Sequence, residues 1–251
     1  MRYSISYTIL FDDHVMVSYV KEVIYSDEHW QTLRDKRAKG LKLLEVLMNC
    51  GYMLPIIHGS VARGDVSKDS DVDVALLYPY PIGMIKMCLE ENDINVHNIR
   101  IVQPTPRHTP KVYVYLDPYE EESISIPLAP LENLEIEYYR FSGYIVRDDI
   151  IAERRVNGVN KNLLLIIPTD RGHVEIPVLG NEGYVCKILG VSIDIVKDRT
   201  EALIRRSREG HTGLFIDIDV PYFEEVEQFI EKLCINNMIF RRAVARYGLC
   251  A

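Results

Sequence analysis

The sequence has few cysteines, no long apolar run and fewer basic than acidic residues, and each feature excludes a class of protein. The five cysteines are widely spaced and odd in number, and they form no CxxC pair or zinc-finger spacing with histidine. We therefore expect reduced thiols, without a disulfide framework or a zinc site. No segment approaches the ~18 consecutive apolar residues of a membrane-spanning helix, and no export signal is recognisable. These absences predict a cytoplasmic protein with no membrane partner.

The charge balance and the composition exclude two further classes. Lys and Arg number 29 against 37 Asp and Glu, which gives a formal net charge of −8. A bulk nucleic-acid coat protein is therefore excluded, although a local basic patch remains compatible with binding RNA or DNA. With 251 residues, of which 47% are hydrophobic, the chain is long and apolar enough for one large or two small globular domains. Neither GxxxxGK[ST] nor GxGxxG occurs, which argues against P-loop and Rossmann proteins.

Apolar periodicity predicts a protein of the α/β (α+β) class. Residues 3–25 alternate as in an antiparallel hairpin, and a helix is expected from an N-cap at Ser26 to Gly51. A change of character near residue 140 predicts two domains, 1–140 and 141–251. Further strands are expected at 54–57, 72–77, 99–102, 112–116, 124–126, 163–167, 174–178 and 214–220, with a strand or edge at 134–139, and helices at 82–92 and from 221 onward.

The most informative segment begins with a buried strand that ends at Gly59-Ser60. This turn opens a short helix, so unpaired backbone N–H groups are expected there, and glycine allows a phosphate to approach the backbone. The Ser60 hydroxyl adds a donor. The turn is therefore a candidate phosphate-binding site.

Two carboxylates follow at the start of the next strand. Asp71 and Asp73 flank Val72, and the two-residue period of a strand places both carboxylates on one face. Like charges so close repel each other unless a cation lies between them, and hard carboxylate oxygens suit Mg²⁺ or Mn²⁺. Together with the preceding turn, the pair predicts a site for a metal-bound triphosphate.

The segment HGSVARGD, followed by SDVD, resembles the signature of the DNA polymerase β-type nucleotidyltransferase superfamily. It is most similar to the short archaeal and bacterial GSxARGD…SDxD version, in which the residues corresponding to Arg63 and Ser70 are also typical. The resemblance implies a small mixed-sheet palm with flanking helices. It also implies transfer of a nucleoside monophosphate from an NTP to an acceptor, with two divalent metals.

The resemblance also implies roles for individual residues. Gly59 and Ser60 would bind the β- and γ-phosphates, and Asp71 and Asp73 would hold the metals. Ser70 would belong to the nucleotide site. Arg63 would either touch phosphate or form an ion pair with Asp65 or Asp73.

The third carboxylate of the family has no unambiguous counterpart here. Asp117 closes a predicted strand at a reasonable distance beyond Asp73, and we expect it to be the third catalytic and metal-binding acid, although Pro118 makes a turn an alternative. Ser125 stands where the strand pattern favours an acid. The other candidates are Glu135, Glu137 and Glu175. If none of them serves, the protein would bind nucleotide with slow or absent transfer.

The second half of the chain predicts a helix-turn-helix. Residues 184–192 and a following helix through Arg206 resemble two helices joined at a glycine, and residues 210–214 are expected to form a wing-like hairpin. The C-terminal domain would then resemble a winged helix-turn-helix. Its candidate phosphate contacts for RNA or DNA are Arg199, Arg205, Arg206 and Arg208.

The sequence thus predicts a Mg²⁺-dependent (or Mn²⁺-dependent) nucleotidyltransferase that uses an NTP and releases pyrophosphate. An alternative is a nucleic-acid-binding regulator with a nucleotide-sensing, catalytically degenerate palm. The acceptor stays open between nucleic acid, a partner protein and a small molecule, as do the preferred NTP and the oligomeric state.

Overall fold

A computed structural model describes residues 10–11, 15–16, 20–210, 213–221 and 225–250 of the chain, with backbone alone at 10, 11, 15, 16, 209 and 246. These residues form a mixed α/β protein, which confirms the predicted class. In chain order the strands are β1 (Leu10–Phe11), β2 (Val15–Met16), β3 (Lys21–Ile24), β4 (Ile56–His58), β5 (Val72–Ala75), β6 (Asn98–Gln103), β7 (Lys111–Tyr115), β8 (Glu122–Pro127), β9 (Tyr144–Ile145), β10 (Gly158–Val159), β11 (Leu164–Thr169), β12 (Gly172–Pro177) and β13 (Ile216–Val220). The helices are α1 (Asp27–Asn49), α2 (Ser60–Arg63), α3 (Ile82–Glu91), α4 (Asn133–Ser142), α5 (Arg147–Ile151), α6 (Glu182–Leu189), α7 (Ile193–Glu209), α8 (Val226–Asn236) and α9 (Met238–Val244).

The chain folds into two compact units that each use three sequence segments. The first unit comprises the described parts of 1–39, 57–70 and 136–212, and the second those of 40–56, 71–135 and 213–251. The division at residue 140 stays a prediction.

Local sequence explains the long first helix, which begins and ends as predicted. The Ser26 hydroxyl accepts a hydrogen bond from the His29 N–H, and Asp27 lies in the first turn, where the helix dipole favours negative charge. At the other end, Gly51 has φ 90°, a conformation that favours glycine. Helix α1 is therefore specified largely by its own residues.

The second unit is built on five strands in the order β13-β6-β7-β8-β5. Neighbours are antiparallel except β8 and β5, which are parallel. One face is apolar, because alternate residues such as Val74, Ile101, Val114 and Ile124 are fully buried. The opposite face carries Asp73 and the polar residues of the neighbouring strands.

Within its described residues, the first unit contains three antiparallel groups of strands. Strand β4 pairs with β9, and a four-stranded sheet has the order β10-β11-β12-β3. Strands β1 and β2 pair antiparallel inside the segment 3–25, where a hairpin was expected, and residues 12–14 between them lie outside the described part of the chain. The core of this unit includes Leu165, Ile176, Val185 and Val196.

Residues 134–139, for which a strand or edge was expected, belong to helix α4 instead. The side chain of Glu135 accepts a hydrogen bond from the Glu132 N–H, the geometry of a carboxylate at the third position of a helix. Tyr139 and Phe141 are buried while Leu134 is 42% exposed. The alternation of apolar and polar residues was misleading because α4 buries only its C-terminal half.

The helix-turn-helix elements form, but the winged domain is not confirmed. Helices α6 and α7 are joined at Gly190, which is left-handed, and the Ser192 hydroxyl accepts from the Ile195 N–H as an N-cap. Of the expected wing, residues 211 and 212 lie outside the described part of the chain. The next strand, β13, pairs with β6 of the second unit.

The prediction that the cysteines are reduced is wrong. Cys50 is bonded to Cys88 and Cys234 to Cys250, while Cys186 is a free thiol. The partners are 38 and 16 residues apart, so their pairing depends on the tertiary fold and leaves no spacing motif in the sequence.

Candidate active site

The Gly59-Ser60 turn follows β4 in the first unit and adopts a conformation that only glycine accommodates easily. Gly59 has φ 84° and ψ −144°, and a Cβ there would meet no atom within 4 Å, so backbone conformation rather than crowding favours glycine. Its N–H donates to the Gly143 carbonyl at 2.9 Å. The amide of Gly59 is therefore part of the scaffold, and its predicted contact with phosphate stays a prediction.

Two side chains of α1 hold the far end of this turn. The buried Arg37 guanidinium donates to the carbonyls of Val61 and Ala62, each at 3.1 Å, and the His29 Nε2 lies 2.7 Å from the Gly64 carbonyl. Burial is the largest effect that lowers the pKa of Arg37, to about 10, so it remains charged at neutral pH. A charged donor thus reaches two of the carbonyl groups at the C-terminal end of helix α2, of which that of Ala62 also accepts from the Val156 N–H at 3.3 Å.

Sequence reasoning did not single out Arg37, although a signal was present. It lies four residues after Leu33 and seven before Leu44, both of which are buried, so it occupies the apolar stripe of α1. A charged residue in such a stripe needs a buried partner.

Arg63 forms an ion pair. Its Nε and Nη2 lie 2.9 and 3.1 Å from the Asp65 carboxylate, and its Nη1 donates to the Ser142 carbonyl at 2.6 Å. The residue is only 4% exposed. Of the two expected roles, the structure shows the pair with Asp65, and contact with a nucleotide stays a prediction.

Ser70 closes the loop that precedes β5. Its hydroxyl accepts from the Ser67 N–H at 2.8 Å, and its own N–H donates to the Ser67 carbonyl at 3.2 Å. This turn leads the chain directly into the paired aspartates.

The paired aspartates stand at the start of β5, in the second unit. Asp71 immediately precedes the strand, and Val72 and Val74 are fully buried on the apolar face. The Asp73 carboxylate accepts a hydrogen bond of 2.9 Å from the Ser123 hydroxyl on the parallel strand β8. Asp73 is therefore oriented on the polar face of the sheet by its neighbouring strand.

Asp117 lies in the turn between β7 and β8. Its carboxylate accepts from the N–H groups of Tyr119 and Glu122 at 2.8 and 2.7 Å, as turn-forming aspartates do. Its assignment as the third acid stays a prediction.

The other acidic candidates also have structural partners. Glu135 accepts from the N–H and hydroxyl of Thr109, and Glu137 bonds to Ser192. Glu175 accepts from Lys21 at 2.6 Å. Ser125, the position that favoured an acid, bonds to the Val74 carbonyl at 3.4 Å.

Glu175 belongs to a partly buried network of polar side chains in the first unit. Burial acts to raise its pKa, but hydrogen bonds from Lys21 and His173 outweigh burial and hold the pKa below its usual value. The Nδ1 of His173 in turn lies 2.7 Å from the Tyr25 hydroxyl. Within the described ranges, no three His, Cys, Asp or Glu side chains are grouped so that they could hold a metal ion together.

The candidate arginines of α7 differ in their exposure to solvent. The Arg199 guanidinium lies over the Tyr138 ring, 4.9 Å from its centroid, and is partly buried. Arg205, Arg206 and Arg208 are exposed near the end of the helix. The structure therefore separates Arg199 from the other three candidates for nucleic-acid contact.

Comparison with known proteins gives a match for the segment that carries the Gly59-Ser60 turn and the aspartate pair. Residues 56–126 match the nucleotidyltransferase domain family. This segment is similar to nucleotidyltransferase domains. The match extends from β4 to β8 and includes the turn, both aspartates and Asp117, and it confirms the resemblance seen in the sequence.

The solved structure of a GLD-2/RNP-8 complex also shows similarity to the chain. The identity is 13% and the TM-score 0.28, over 46% of this chain and 51% of that chain, so the match spans about half the length of the solved relative. No curated protein matches the sequence significantly. Among the helices of the described residues, none has the length and apolar character needed to cross a bilayer.

Proposed function

We propose that the protein is a Mg²⁺-dependent nucleotidyltransferase that transfers a nucleoside monophosphate from an NTP to an acceptor. The observation that carries the proposal is the aspartate pair Asp71 and Asp73, at the start of a strand inside a segment that matches the nucleotidyltransferase family. The Gly59-Ser60 turn, twelve residues before Asp71 in the sequence, supports it.

The donor set of the pair fits a hard divalent cation. Carboxylate oxygens are the ligands that Mg²⁺ takes from proteins, usually one or two of them, with substrate phosphates and water completing the coordination. Asp71 and Asp73 would hold the ion. When bound, the ion supplies charge neutralisation for the triphosphate and the departing pyrophosphate.

The chain's own residues position the triphosphate. The Ser60 hydroxyl and the backbone of the turn donate hydrogen bonds to its oxygens, and Arg37 keeps the turn in place from behind. In the reaction an acceptor oxygen bonds to the α-phosphorus while the bond to the β-phosphate oxygen breaks, so that pyrophosphate leaves. Catalysis of this kind depends mainly on positioning and charge.

Calorimetric titration with each Mg²⁺-NTP tests the proposal without knowledge of the acceptor. We expect metal-dependent binding to the natural protein and its loss in the Asp71→Asn/Asp73→Asn variant, because the neutral amides no longer attract the cation. The control, Asp170→Asn/Asp198→Asn, removes two exposed carboxylates outside the segment 56–126 and should bind as the natural protein does. Unchanged binding in the Asp71→Asn/Asp73→Asn variant would contradict the proposal.

One observation favours the alternative of a nucleic-acid-binding regulator. The candidate third acids all hold structural partners, while Arg205, Arg206 and Arg208 are exposed together on α7. Salt-dependent binding of an oligonucleotide that survives Asp71→Asn but is lost in Arg205→Ala/Arg206→Ala would favour this function over transfer. A cytoplasmic location likewise stays a prediction.

A further inference from the structure

Two tyrosines share the polar sheet face with Asp73. Strand register places Asp73 beside Ser123 and Ser123 beside Tyr115, and it places Tyr113 beside Ser125. Partners in register project from the same face, and the Ser123–Asp73 hydrogen bond agrees with this. Strand β7 thus carries both tyrosines two strands away from β5, a separation of about 10 Å.

The two rings are nearly parallel. Their planes differ by 17° and their centroids are 6.3 Å apart, and both residues are partly exposed. Paired parallel rings of this kind bind planar heterocycles by stacking.

The charges around the rings favour a neutral ligand group over a phosphate. Arg100, the register neighbour of Tyr113, donates to both oxygens of Asp217 at 2.6 Å and lies 3.3 Å from Asp219. Its positive charge is therefore matched by carboxylates, which would repel a phosphate nearby.

We propose that Tyr113 and Tyr115 are the stacking surface for a nucleobase, supplied either by the donor NTP or by the acceptor. The inference rests on the proposed function, since it assigns the base of the same reaction to the sheet face that carries Asp73. Stacking tolerates any base, because every base has a π-face.

Titrations of two tyrosine variants test the proposal. In Tyr113→Leu/Tyr115→Leu we expect Mg²⁺-NTP binding to weaken roughly ten- to a hundred-fold, the loss typical of a stacked base, with Mg²⁺-tripolyphosphate binding unchanged. Tyr113→Phe/Tyr115→Phe keeps the rings and should retain affinity. Tyr119→Leu, at a tyrosine 83% exposed in a turn, is the matched control.

The outcomes show which ligand supplies the base. They also distinguish failure of this inference from failure of the proposed function. Unchanged NTP affinity with weaker binding of a nucleoside or a short oligonucleotide assigns the surface to the acceptor base. Unchanged binding of all these ligands overturns the inference. The proposed function fails separately, if Asp71→Asn/Asp73→Asn does not alter tripolyphosphate binding.

A second measurement does not depend on the folding of the leucine variants. Photolysis of 8-azido-ATP or an azido-substituted nucleoside with the natural protein should label residues 111–115, as mapped by mass spectrometry. Labelling confined to other segments would overturn the inference.

Discussion

At the scale of single residues, the candidate site depends on buried arginines with specific partners. Arg37 donates to two carbonyls of α2, and Arg63 pairs with Asp65 next to the same turn. A buried charge is stable only when its hydrogen bonds are satisfied. These side chains keep the turn in one conformation, which is a condition for holding a triphosphate in a defined place.

We expect Arg37→Met to lower the free energy of unfolding by about 1–3 kcal/mol, because the buried Val61 carbonyl loses the guanidinium as its donor, while the Ala62 carbonyl keeps only a hydrogen bond of 3.3 Å from the Val156 N–H. Urea denaturation measures the change. The control is Arg34→Met, an exposed arginine on the same helix, which should have little effect. An Arg37→Met protein as stable as the natural one would show that water or other groups replace the guanidinium.

His173 predicts a specific dependence of stability on pH. Burial lowers its pKa below the ordinary 6.5, so the folded state favours the neutral ring. Its contribution to stability is complete above pH 6.5 and is lost as the pH falls from there toward the folded-state pKa, because the unfolded chain binds the proton more tightly. Denaturation at pH 7.5 and 5.5 should therefore show a smaller decrease for His173→Gln than for the natural protein. Equal decreases would contradict the prediction.

At the scale of elements, helix ends and cross-links determine where the segments lie. Ser26 and Ser192 cap α1 and α7 through local hydrogen bonds. The disulfide Cys50–Cys88 instead joins the residue that follows α1 to α3, elements that no local pattern connects.

Removal of that disulfide should destabilise the protein. For a loop of 38 residues, Cys50→Ser/Cys88→Ser is expected to lower the free energy of unfolding by about 2–4 kcal/mol, since the unfolded chain gains freedom. Thermal unfolding without reductant measures the effect, with Cys186→Ser as the control at the free thiol. If both variants melt alike, the bond contributes nothing to stability.

At the scale of the whole molecule, the sheet of the second unit has one apolar face in the core and one polar face. Its valines and isoleucines are buried on the first, while Asp73 and the two tyrosines of β7 share the second. The two-residue period of strands produces this division from sequence alone. Which strands become neighbours, and so which polar residues meet, is a property of the topology.

The sequence by itself determined the features that depend on adjacent residues. These include the cap and end of α1, the glycine turn after β4, the aspartate pair before and within β5 and the family of the segment 56–126. Each of them follows from the backbone conformation that a residue prefers, or from the spacing of side chains over a few positions along a helix or strand. Only the tertiary structure decided that residues 134–139 are helical, that Cys50 pairs with Cys88 and that Arg37 holds the turn. The reason is physical: each of these depends on burial or on a partner distant in the chain, which local sequence does not specify.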